Sequence, residues 1–317
     1  MKTANLLDPS DRTALRETFG ERARFDEPLA PYTWWKIGGP ADAFVEVETS
    51  DELAIMLRRV FRRRLPMFVL GEGSNLLVGD GGMRGIVLRL RGAFTALDVR
   101  EAGDAVVVEA GGSASLPVLC TRVATLGGAG VDGLAGIPAT VGGAIRMNAG
   151  TDREIGDFAT EVVVQTPSRP EAHAIDVGWS YRRTSIPRDA IVARAALRFE
   201  RGVAAEVRAR MQARLVRRKA TQPVAIPNSG SCFRNPPGDH AGRLIEAVGA
   251  KGWREGGAEV SAVHANFIVN TGGATARDVA VLLTRVRRAV EERFGVALHL
   301  EVHLAGEFTD TPLEANA

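Results

Sequence analysis

The sequence predicts a protein of mixed helix and sheet that is divided into two domains. Short apolar runs typical of buried strands alternate with helical patterns through the first 200 residues. The period becomes helical from Val203 to Arg218, which places a domain boundary there. A second, strongly amphipathic helix lies near the C-terminus. The chain of 317 residues is long enough to bury two separate cores.

The first part of the chain contains most of the predicted strands. They are Ala43–Val47, Met67–Leu70, Ile86–Arg89, Ala105–Ala110, Glu161–Gln165, Ala172–Asp176 and Ile191–Phe199. Ser50 is the expected N-cap of a helix that runs to Arg63, and a second helix spans Leu116–Leu126. The stretch Gly133–Gly150 is so rich in glycine that we expect little regular structure in it.

The last part of the chain has the clearest helix signal. Thr275 is a capping residue, Gly295 is a stop, and one face between them is apolar. The residues of that face are Val279, Leu282, Leu283, Val286, Val290 and Phe294. The segment Leu298–Leu304 then predicts a final strand.

Composition excludes several classes of protein. No apolar run approaches the ~18 residues of a membrane span, and Met1–Arg12 lacks the apolar core of a signal peptide, so we expect a cytoplasmic protein without a membrane segment. Cys120 and Cys232 are far apart, which argues against a disulfide framework or a zinc site. The arginines are spread along the chain and balanced by acids, so we expect no nucleic-acid partner.

Two glycine-rich segments suggest a nucleotide or flavin site. The first glycine loop, residues 71–76, follows a predicted strand, but Leu76 occupies the third glycine position of the Rossmann fingerprint. Its small residues are suited to close approach by a pyrophosphate, although a tight turn would look the same. These residues are Gly71, Gly73, Ser74 and Asn75. No Walker A pattern is present.

The second glycine loop, residues 133–144, contains four glycines. Ordering so many glycines costs backbone entropy, and a flat ligand lying against the backbone would explain that cost. A loop without a ligand is the alternative.

The serine loop, residues 228–237, has the character of a reacting surface. Turn residues and two prolines hold it out of regular structure, so that Ser231 presents a hydroxyl beside the guanidinium of Arg234 and the amide of Asn235. The alternative is a surface turn that bonds to its own backbone. Upstream, the basic residues 217–219 either complement the end of a helix or bind an anion.

Two further polar residues complete a possible reaction centre. A carboxyl at Glu301 could hold or relay a proton, and a guanidinium at Arg182 could stabilise a developing enolate. Each also has a plain alternative, because Arg182 could be a surface charge and Glu301 the solvent face of a strand.

From about Tyr32 onward the chain resembles the UDP-N-acetylenolpyruvoylglucosamine reductases, the MurB flavoenzymes. The matching motifs occur in a specific order and spacing: Thr33–Ala41, Leu70–Leu77, Ala135–Gly143, Tyr181-Arg182, Gly230–Pro236 and His264–Phe267. In each of them the residue types agree with those of the family.

The resemblance implies an α+β fold with an FAD-binding part of the vanillyl-alcohol-oxidase (PCMH) type made of two α+β subdomains. It implies an N-terminal helical extension at 1–30, the FAD-binding domain at 31–200 and a substrate-binding α+β domain at 201–317. The implied reaction takes hydride from NADPH through FAD to the enolpyruvyl group of UDP-N-acetylglucosamine enolpyruvate, which yields UDP-N-acetylmuramate for peptidoglycan precursors. Another FAD-dependent oxidoreductase of this fold and a silent nucleotide-binding module are the alternatives.

The resemblance also assigns roles to residues. Ser231 becomes the proton donor to C2 of the substrate, while Arg182 and Glu301 stabilise or protonate the intermediate. Arg218, Asn235 and His264 become contacts of the UDP-sugar substrate. The FAD contacts fall on Gly71, Gly73, Ser74, Asn75, Leu76, Gly136, Ile137, Pro138, Thr140, Gly142 and Gly143. Trp34 and Trp35 are expected to be packing residues, and no metal is implied.

Three departures from the family pattern affect these expectations. The family's Ala-Tyr-Gly is replaced by Thr151-Asp152-Arg153, so flavin contacts there are open. Val263 and His303 stand where the family has cations. The short spacing from Arg182 to Ser231 indicates the type II form of the family. We expect a monomer or a weak homo-oligomer.

Overall fold

The structure, a computed structural model, describes residues 7–308. Within them the chain forms two compact units. Unit 1 comprises residues 7–25, 43–72 and 85–217, and unit 2 comprises residues 26–42, 73–84 and 218–308.

This division differs from the predicted domain limits. The last boundary between the two units along the chain falls after residue 217 and not after residue 200. The segments 26–42 and 73–84 belong to the same unit as the C-terminal residues. Residues 7–25 pack in unit 1, where Leu15 and Phe19 enter its core. A local sequence pattern cannot show these exchanges, because they depend on contacts between residues far apart in the chain.

The helices and strands are numbered in chain order. The helices are α1 (Pro9–Phe19), α2 (Ser50–Arg63), α3 (Leu116–Thr125), α4 (Val141–Met147), α5 (Ala204–Thr221), α6 (Ala241–Ala247) and α7 (Ala276–Phe294). The strands are β1 (Ala23–Pro28), β2 (Pro40–Val47), β3 (Met67–Val69), β4 (Leu76–Val78), β5 (Met83–Leu90), β6 (Leu97–Ala102), β7 (Ala105–Gly111), β8 (Ala159–Gln165), β9 (His173–Ile175), β10 (Trp179–Ser180), β11 (Arg183–Thr184), β12 (Ile191–Glu200), β13 (Arg254–Glu255), β14 (Ala258–Val260), β15 (Ile268–Asn270) and β16 (His303–Ala305).

Unit 1 contains two larger sheets, each packed on its own core, and the two-stranded hairpin of β10 and β11. The first has the order β1-β2-β5-β3, with β3 parallel to β5. Apolar residues of α1 and α2 pack with those of this sheet, as expected from their periodicity. The second sheet has the order β6-β7-β12-β8-β9, and its neighbouring strands are antiparallel. Its core is shared with α3 and α4.

Helix α4 corrects the expectation that residues 133–150 lack regular structure. The side chain of Thr140 accepts a hydrogen bond from the backbone N–H of Gly143 at 3.1 Å and so caps the helix. Asn148 ends it in the left-handed conformation, with φ of 43°. Buried Val141, Ala144 and Ile145 supply the packing that compensates for two glycines in the first turn.

Unit 2 is built from a small antiparallel sheet, β13-β14-β15, together with α6, α7 and the parallel pair β4 and β16. Helix α7 matches its prediction, because Thr275 forms a capping box with Asp278 and Gly295 ends the helix in the left-handed region. The predicted last strand is shorter than expected. Only His303–Ala305 pairs as a strand, while Leu300 makes an isolated bridge to Phe233.

The two neighbouring tryptophans differ in environment. Trp35 is fully buried in the core of unit 2 and donates its indole N–H to the carbonyl of Ile268 at 2.7 Å, which confirms it as a packing residue. Trp34 is 40% exposed, so for it the same expectation stays a prediction. In the described part of the chain, no helix is long and apolar enough to cross a membrane.

Candidate active site

The serine loop and the segment that carries Glu301 run side by side in unit 2. Phe233 and Leu300 form an antiparallel bridge. The N–H of Glu301 donates to the carbonyl of Cys232 at 2.8 Å, and the N–H of Arg234 donates to that of His299 at 2.9 Å. The backbone pairing therefore brings Ser231 and Glu301, two predicted reacting residues, onto adjoining strands of chain.

Asn266 fixes the serine loop in place. Its side-chain oxygen accepts from the N–H of Phe233 at 3.0 Å, and its side-chain nitrogen donates to the carbonyl of Phe233 at 2.8 Å. Its own carbonyl accepts from the N–H of Cys232 at 2.8 Å. Asn266 is only 4% exposed, and these bonds give both ends of its buried amide a partner. Its motif was identified in the sequence, but the sequence assigned it no role.

Asn75 joins the first glycine loop to the same group of segments. Its side-chain nitrogen donates to the main-chain carbonyl of Glu301 at 3.1 Å. Its own carbonyl accepts from the N–H of His303 at 3.1 Å, next to the parallel pairing of β4 with β16. Leu76, another predicted contact, begins β4 and is buried.

The first glycine loop presents a run of unused donors. Among the described residues, the backbone N–H groups of residues 71–75 have no hydrogen-bond acceptor. Successive N–H groups in a tight loop form an anion-binding concavity. Gly73 has φ of 63°, and a Cβ there would lie 2.3 Å from the carbonyl oxygen of Tyr32. These donors fit the pyrophosphate of a dinucleotide such as FAD.

The second glycine loop is explained in part by the fold itself. A Cβ on Gly142 would lie 2.8 Å from the carbonyl oxygen of Gly112, so close packing of two backbones requires glycine there. Ile137 packs on the core of the five-stranded sheet, between the partly buried Gly136 and Pro138. Gly143 is different. It is exposed, and the nearest atom to an added Cβ is the side-chain atom Thr140 Oγ1 at 3.2 Å, so no backbone packing requires glycine there and the expected cofactor contact stays a prediction.

Arg182 belongs to unit 1, whereas Ser231 and Glu301 belong to unit 2. It lies in the two-residue turn between β10 and β11 and has φ of 55°. Its Nη2 donates to the carbonyl of Gly150 at 2.8 Å, and its Nη1 lies 3.4 Å from Glu154 Oε1. The guanidinium also stacks over Tyr181, 4.7 Å from the ring centroid.

Two guanidinium groups of unit 2 are suited to binding an anion. In residues 7–308, neither Arg218 nor Arg234 has a carboxylate partner. Burial lowers the pKa of Arg218, and Nε of Arg234 is buried without an acceptor. The sequence noted the guanidinium of Arg234 but did not propose it as a substrate contact. Asn235 accepts a hydrogen bond from the N–H of Ala241 at 3.1 Å and so also supports the start of α6.

The ring of His264 has a defined tautomer when it is neutral. Its Nδ1 accepts from the N–H of Asn266 at 3.2 Å, which leaves the proton on Nε2 as a donor. Burial lowers the pKa of His264, and the charge of Lys251 lowers it further. The ring packs edge-on to Phe267, with centroids 4.8 Å apart.

The residues that depart from the family pattern are engaged within unit 1. Arg214 on α5 donates to Thr151 Oγ1 at 3.0 Å and pairs with Asp152 and with Asp132. Arg153 pairs with Asp157 at 2.8 Å and stacks over a phenylalanine ring. This turn is therefore held by the protein's own contacts. Within residues 7–308, no three histidine, cysteine or acidic side chains lie together in a way that could hold a metal ion.

Comparison with known proteins shows the family of the chain. Residues 222–305 match the family model of the UDP-N-acetylenolpyruvoylglucosamine reductase C-terminal domain, and residues 41–167 match that of an FAD binding domain. The chain is 46% identical over 301 residues to UDP-N-acetylenolpyruvoylglucosamine reductase of Anaeromyxobacter dehalogenans, covering 94% of this chain and 90% of that one. It is also 46% identical over 291 residues to reductase 2 of Symbiobacterium thermophilum, covering 90% and 92%.

A solved structure is similar over nearly the whole chain. The crystal structure of the MurB reductase from Thermus caldophilus superposes with a TM-score of 0.75 at 38% identity, covering 89% of this chain and 98% of that one. These matches confirm the α+β fold class with an FAD-binding part. The chain belongs to the UDP-N-acetylenolpyruvoylglucosamine reductase (MurB) family.

Proposed function

We propose that this protein reduces the enolpyruvyl group of UDP-N-acetylglucosamine enolpyruvate to UDP-N-acetylmuramate, with NADPH as the reductant. The activity follows the family to which the chain belongs, and FAD is the cofactor that its FAD-binding domain takes. The observation that carries the proposal is the pairing of the serine loop with the segment of Glu301. It supplies a hydroxyl and a carboxyl on adjoining segments, as protonation of a reduced enolpyruvyl group requires.

Bound FAD supplies the hydride relay between the nicotinamide and C3 of the enolpyruvyl group. The first glycine loop would hold the FAD pyrophosphate through its unused N–H groups. Gly143 would allow close approach of the cofactor, because no protein backbone fills the space at its Cα. Gly71, Ser74 and Thr140 complete the proposed cofactor contacts.

The reacting residues act after hydride has reached C3, when charge must be stabilised and a proton supplied. Negative charge then develops over C2 and the neighbouring carboxylate, and it must be balanced until a proton reaches C2. We assign that proton to the hydroxyl of Ser231. Glu301 holds or relays the replacement proton, and Arg182 provides positive charge for the intermediate.

The substrate carries a diphosphate and a carboxylate, so its site needs cations. Arg218 and Arg234 fit this requirement, because both are partly buried and neither is neutralised by a carboxylate within the described residues. His264 offers Nε2–H as a neutral donor, and Asn235 offers its amide nitrogen.

The proposed product is a precursor of peptidoglycan, which links the enzyme to cell-wall formation and hence to cell shape and division. Its nucleotide substrate and its reductant are both cytoplasmic metabolites, so we assign it to the cytoplasm. We propose a monomer or a weak homo-oligomer, to be measured by light scattering.

The decisive experiment separates the two half-reactions in Ser231→Ala. NADPH should still bleach the flavin absorbance at the normal rate, whereas recovery of the absorbance with enolpyruvyl substrate should slow by roughly 10²-fold, as for loss of a general acid. Ser229→Ala is the matched control, since it removes a buried hydroxyl from the same loop. Equal slowing of both half-reactions in Ser231→Ala would show a structural role and contradict the assignment.

A further inference from the structure

We propose that Glu154, held by Asn148, is a positioning residue that orients the guanidinium of Arg182 for the reaction. This inference rests on the proposed function, in which Arg182 balances charge on the intermediate. The contacts that carry it all lie within unit 1.

The backbone of Arg182 shows that its placement is imposed from outside the turn. Ser180 pairs with Arg183, so Tyr181 and Arg182 are the two central residues of a tight hairpin. Arg182 takes φ of 55° at the second central position, where glycine or asparagine is usual. A side chain with a long aliphatic stem keeps such a conformation only when its surroundings determine it.

Those surroundings include the 148–154 turn, the residues from Asn148 to Glu154. Two groups of this turn contact the guanidinium: the carbonyl of Gly150 at 2.8 Å and the carboxylate of Glu154 at 3.4 Å. The carbonyl accepts from Nη2 and the carboxylate from Nη1. The two contacts therefore fix the plane of the guanidinium as well as its position. Gly150 and Glu154 also bridge each other across the turn, which keeps the two acceptors at a set separation.

Asn148 links this turn to the hairpin. Its side-chain nitrogen donates to Glu154 Oε2 and to the carbonyl of Ser180 on β10, the latter at 3.0 Å. Its side-chain oxygen accepts from the N–H of Gly156 at 3.1 Å. With 2% exposure and three hydrogen bonds, Asn148 holds one oxygen of Glu154 while Arg182 meets the other.

The turn is anchored a second time at its outer end. Thr151 donates through its N–H and its hydroxyl to the carbonyl of Gly133, at 3.0 and 2.9 Å. Arg214 then clamps Thr151 and Asp152. Thr151 and Asp152 thus brace the turn that carries the two acceptors for Arg182.

The environment of the pair differs from that of an ordinary surface ion pair. The side chains of Arg182 and Glu154 are 17% and 23% exposed, whereas those of Arg194 and Glu161 in the five-stranded sheet are 43% and 41% exposed. An exposed pair contributes little and is screened. A partly buried one restrains the guanidinium, and small misplacements of a catalytic group have large effects on rate.

The test compares Glu154→Gln with Arg182→Lys, the double variant and Glu161→Gln as the control. Each is measured for bleaching of the flavin by NADPH and for reoxidation by enolpyruvyl substrate. In Glu154→Gln we expect normal bleaching, normal flavin content and reoxidation slowed by roughly 10-fold or more. The double variant should be no slower than Arg182→Lys, because a residue that acts through another adds nothing once that other is changed.

Asn148→Gly provides a second variant if Glu154→Gln loses flavin or folds poorly. Glycine keeps the left-handed conformation at that position but removes both donors of the side-chain amide. The same selective slowing in Asn148→Gly supports the inference. Normal turnover in Arg182→Lys would overturn both the role of Arg182 and this inference. Two outcomes would overturn the positioning role alone. In the first, reoxidation is slow in Arg182→Lys but normal in Glu154→Gln. In the second, the rate losses of the two single variants multiply in the double variant.

Discussion

The side-chain amide of Asn75 donates a hydrogen bond to the main-chain carbonyl of Glu301 at 3.1 Å. One residue of the first glycine loop is therefore fastened to the segment that presents the proposed proton-handling carboxyl. The same segment is fastened on its other side, because the N–H of Glu301 donates to the carbonyl of Cys232 beside Ser231. Both contacts hold the main chain at Glu301 and neither uses its carboxyl group.

This arrangement makes Glu301→Gln a clean test of chemistry. The main-chain bonds remain, so flavin content and the substrate concentration that perturbs the flavin spectrum should stay near normal. Turnover should fall by roughly 10²-fold in kcat, because the lost interaction acts mainly in the transition state. Glu255→Gln on β13 serves as a control with unchanged kcat. A defect confined to substrate affinity would remove Glu301 from the reacting group.

The two glycines at the start of α4 should respond differently to alanine. Gly142→Ala places a Cβ 2.8 Å from a backbone oxygen and should lower the free energy of unfolding by about 1–3 kcal/mol, as for overpacking. Gly143→Ala meets only Thr140 Oγ1 at 3.2 Å, so its unfolding should change little while its dissociation constant for FAD rises. Thermal unfolding of the flavin-free proteins and FAD titration separate the two effects. Unchanged FAD affinity in Gly143→Ala would remove that glycine from the cofactor site.

Local signals in the sequence predicted the elements whose boundaries are local. Helix α7 begins and ends where Thr275 and Gly295 indicated, because a capping box and a left-handed glycine are contacts between near neighbours in the chain. Helix α4 was missed for the opposite reason. Its low helix propensity is offset by burial of residues such as Val141 and Ile145, and a local pattern does not report that burial.

The candidate site shows the same limit. Ser231 and Glu301 were proposed separately, but their proximity depends on a bridge between residues 233 and 300, far apart in the chain. The two side-chain hydrogen bonds by which Asn266 fixes the serine loop also join residues that are far apart in the chain. The resemblance to a known family supplied the grouping of these residues, and the pattern of residues alone left it open.

Asn266 should be more important for folding than its polar character suggests. Asn266→Ala leaves the N–H and the carbonyl of Phe233 without partners in the core, which costs about 1–3 kcal/mol for each buried group. Urea unfolding should therefore show a loss of roughly 2 kcal/mol or more. Asn235→Ala, which removes one acceptor at the start of α6, is the matched control and should lose about 1 kcal/mol. An equal loss of unfolding free energy in both variants would contradict the proposal that Asn266 fixes the serine loop in place.

Both cysteines should be inert in the folded protein. Burial raises the pKa of Cys120 and of Cys232 to about 12, and the charge of Glu301 adds to the effect at Cys232. The thiolate is the reactive form, so a thiol reagent at pH 8 should label neither residue until the protein unfolds. Mass spectrometry before and after denaturation counts the labelled sites. Rapid labelling of Cys232 in the native protein would show that the serine loop opens.

Arg218 should affect substrate binding and not stability. Its guanidinium is desolvated without a carboxylate partner among the described residues, so removal relieves an unfavourable burial in the free enzyme. Arg218→Ala should keep or slightly raise the melting temperature while KM for the UDP-sugar rises by roughly 10-fold or more, as for a lost charged hydrogen bond. Lys219→Ala, on the exposed side of the same helix, is the control. A lower melting temperature with unchanged KM would assign Arg218 a structural role.

His264 should make the stability of the protein depend on pH. Its pKa in the folded state lies below the ordinary value of 6.5, through burial and the charge of Lys251, although Glu246 opposes the shift. The unfolded chain therefore binds the proton more readily than the folded protein does. The resulting stability is fully present above pH 6.5 and is lost as the pH falls through the lowered pKa.

The measurement is urea unfolding from pH 8 to pH 5 for the wild type, His264→Asn and His240→Asn. Asparagine at 264 retains an acceptor near the position of Nδ1 but does not titrate, so the decline in stability below pH 6.5 should become shallower. His240 is exposed, and its replacement should leave the decline unchanged. If His264→Asn follows the wild-type curve throughout, the ring is not held in its neutral form. Its proposed role as a neutral Nε2–H donor to the substrate would then fail as well. That role requires a neutral ring whose Nδ1 accepts from the N–H of Asn266, so that the ring proton lies on Nε2.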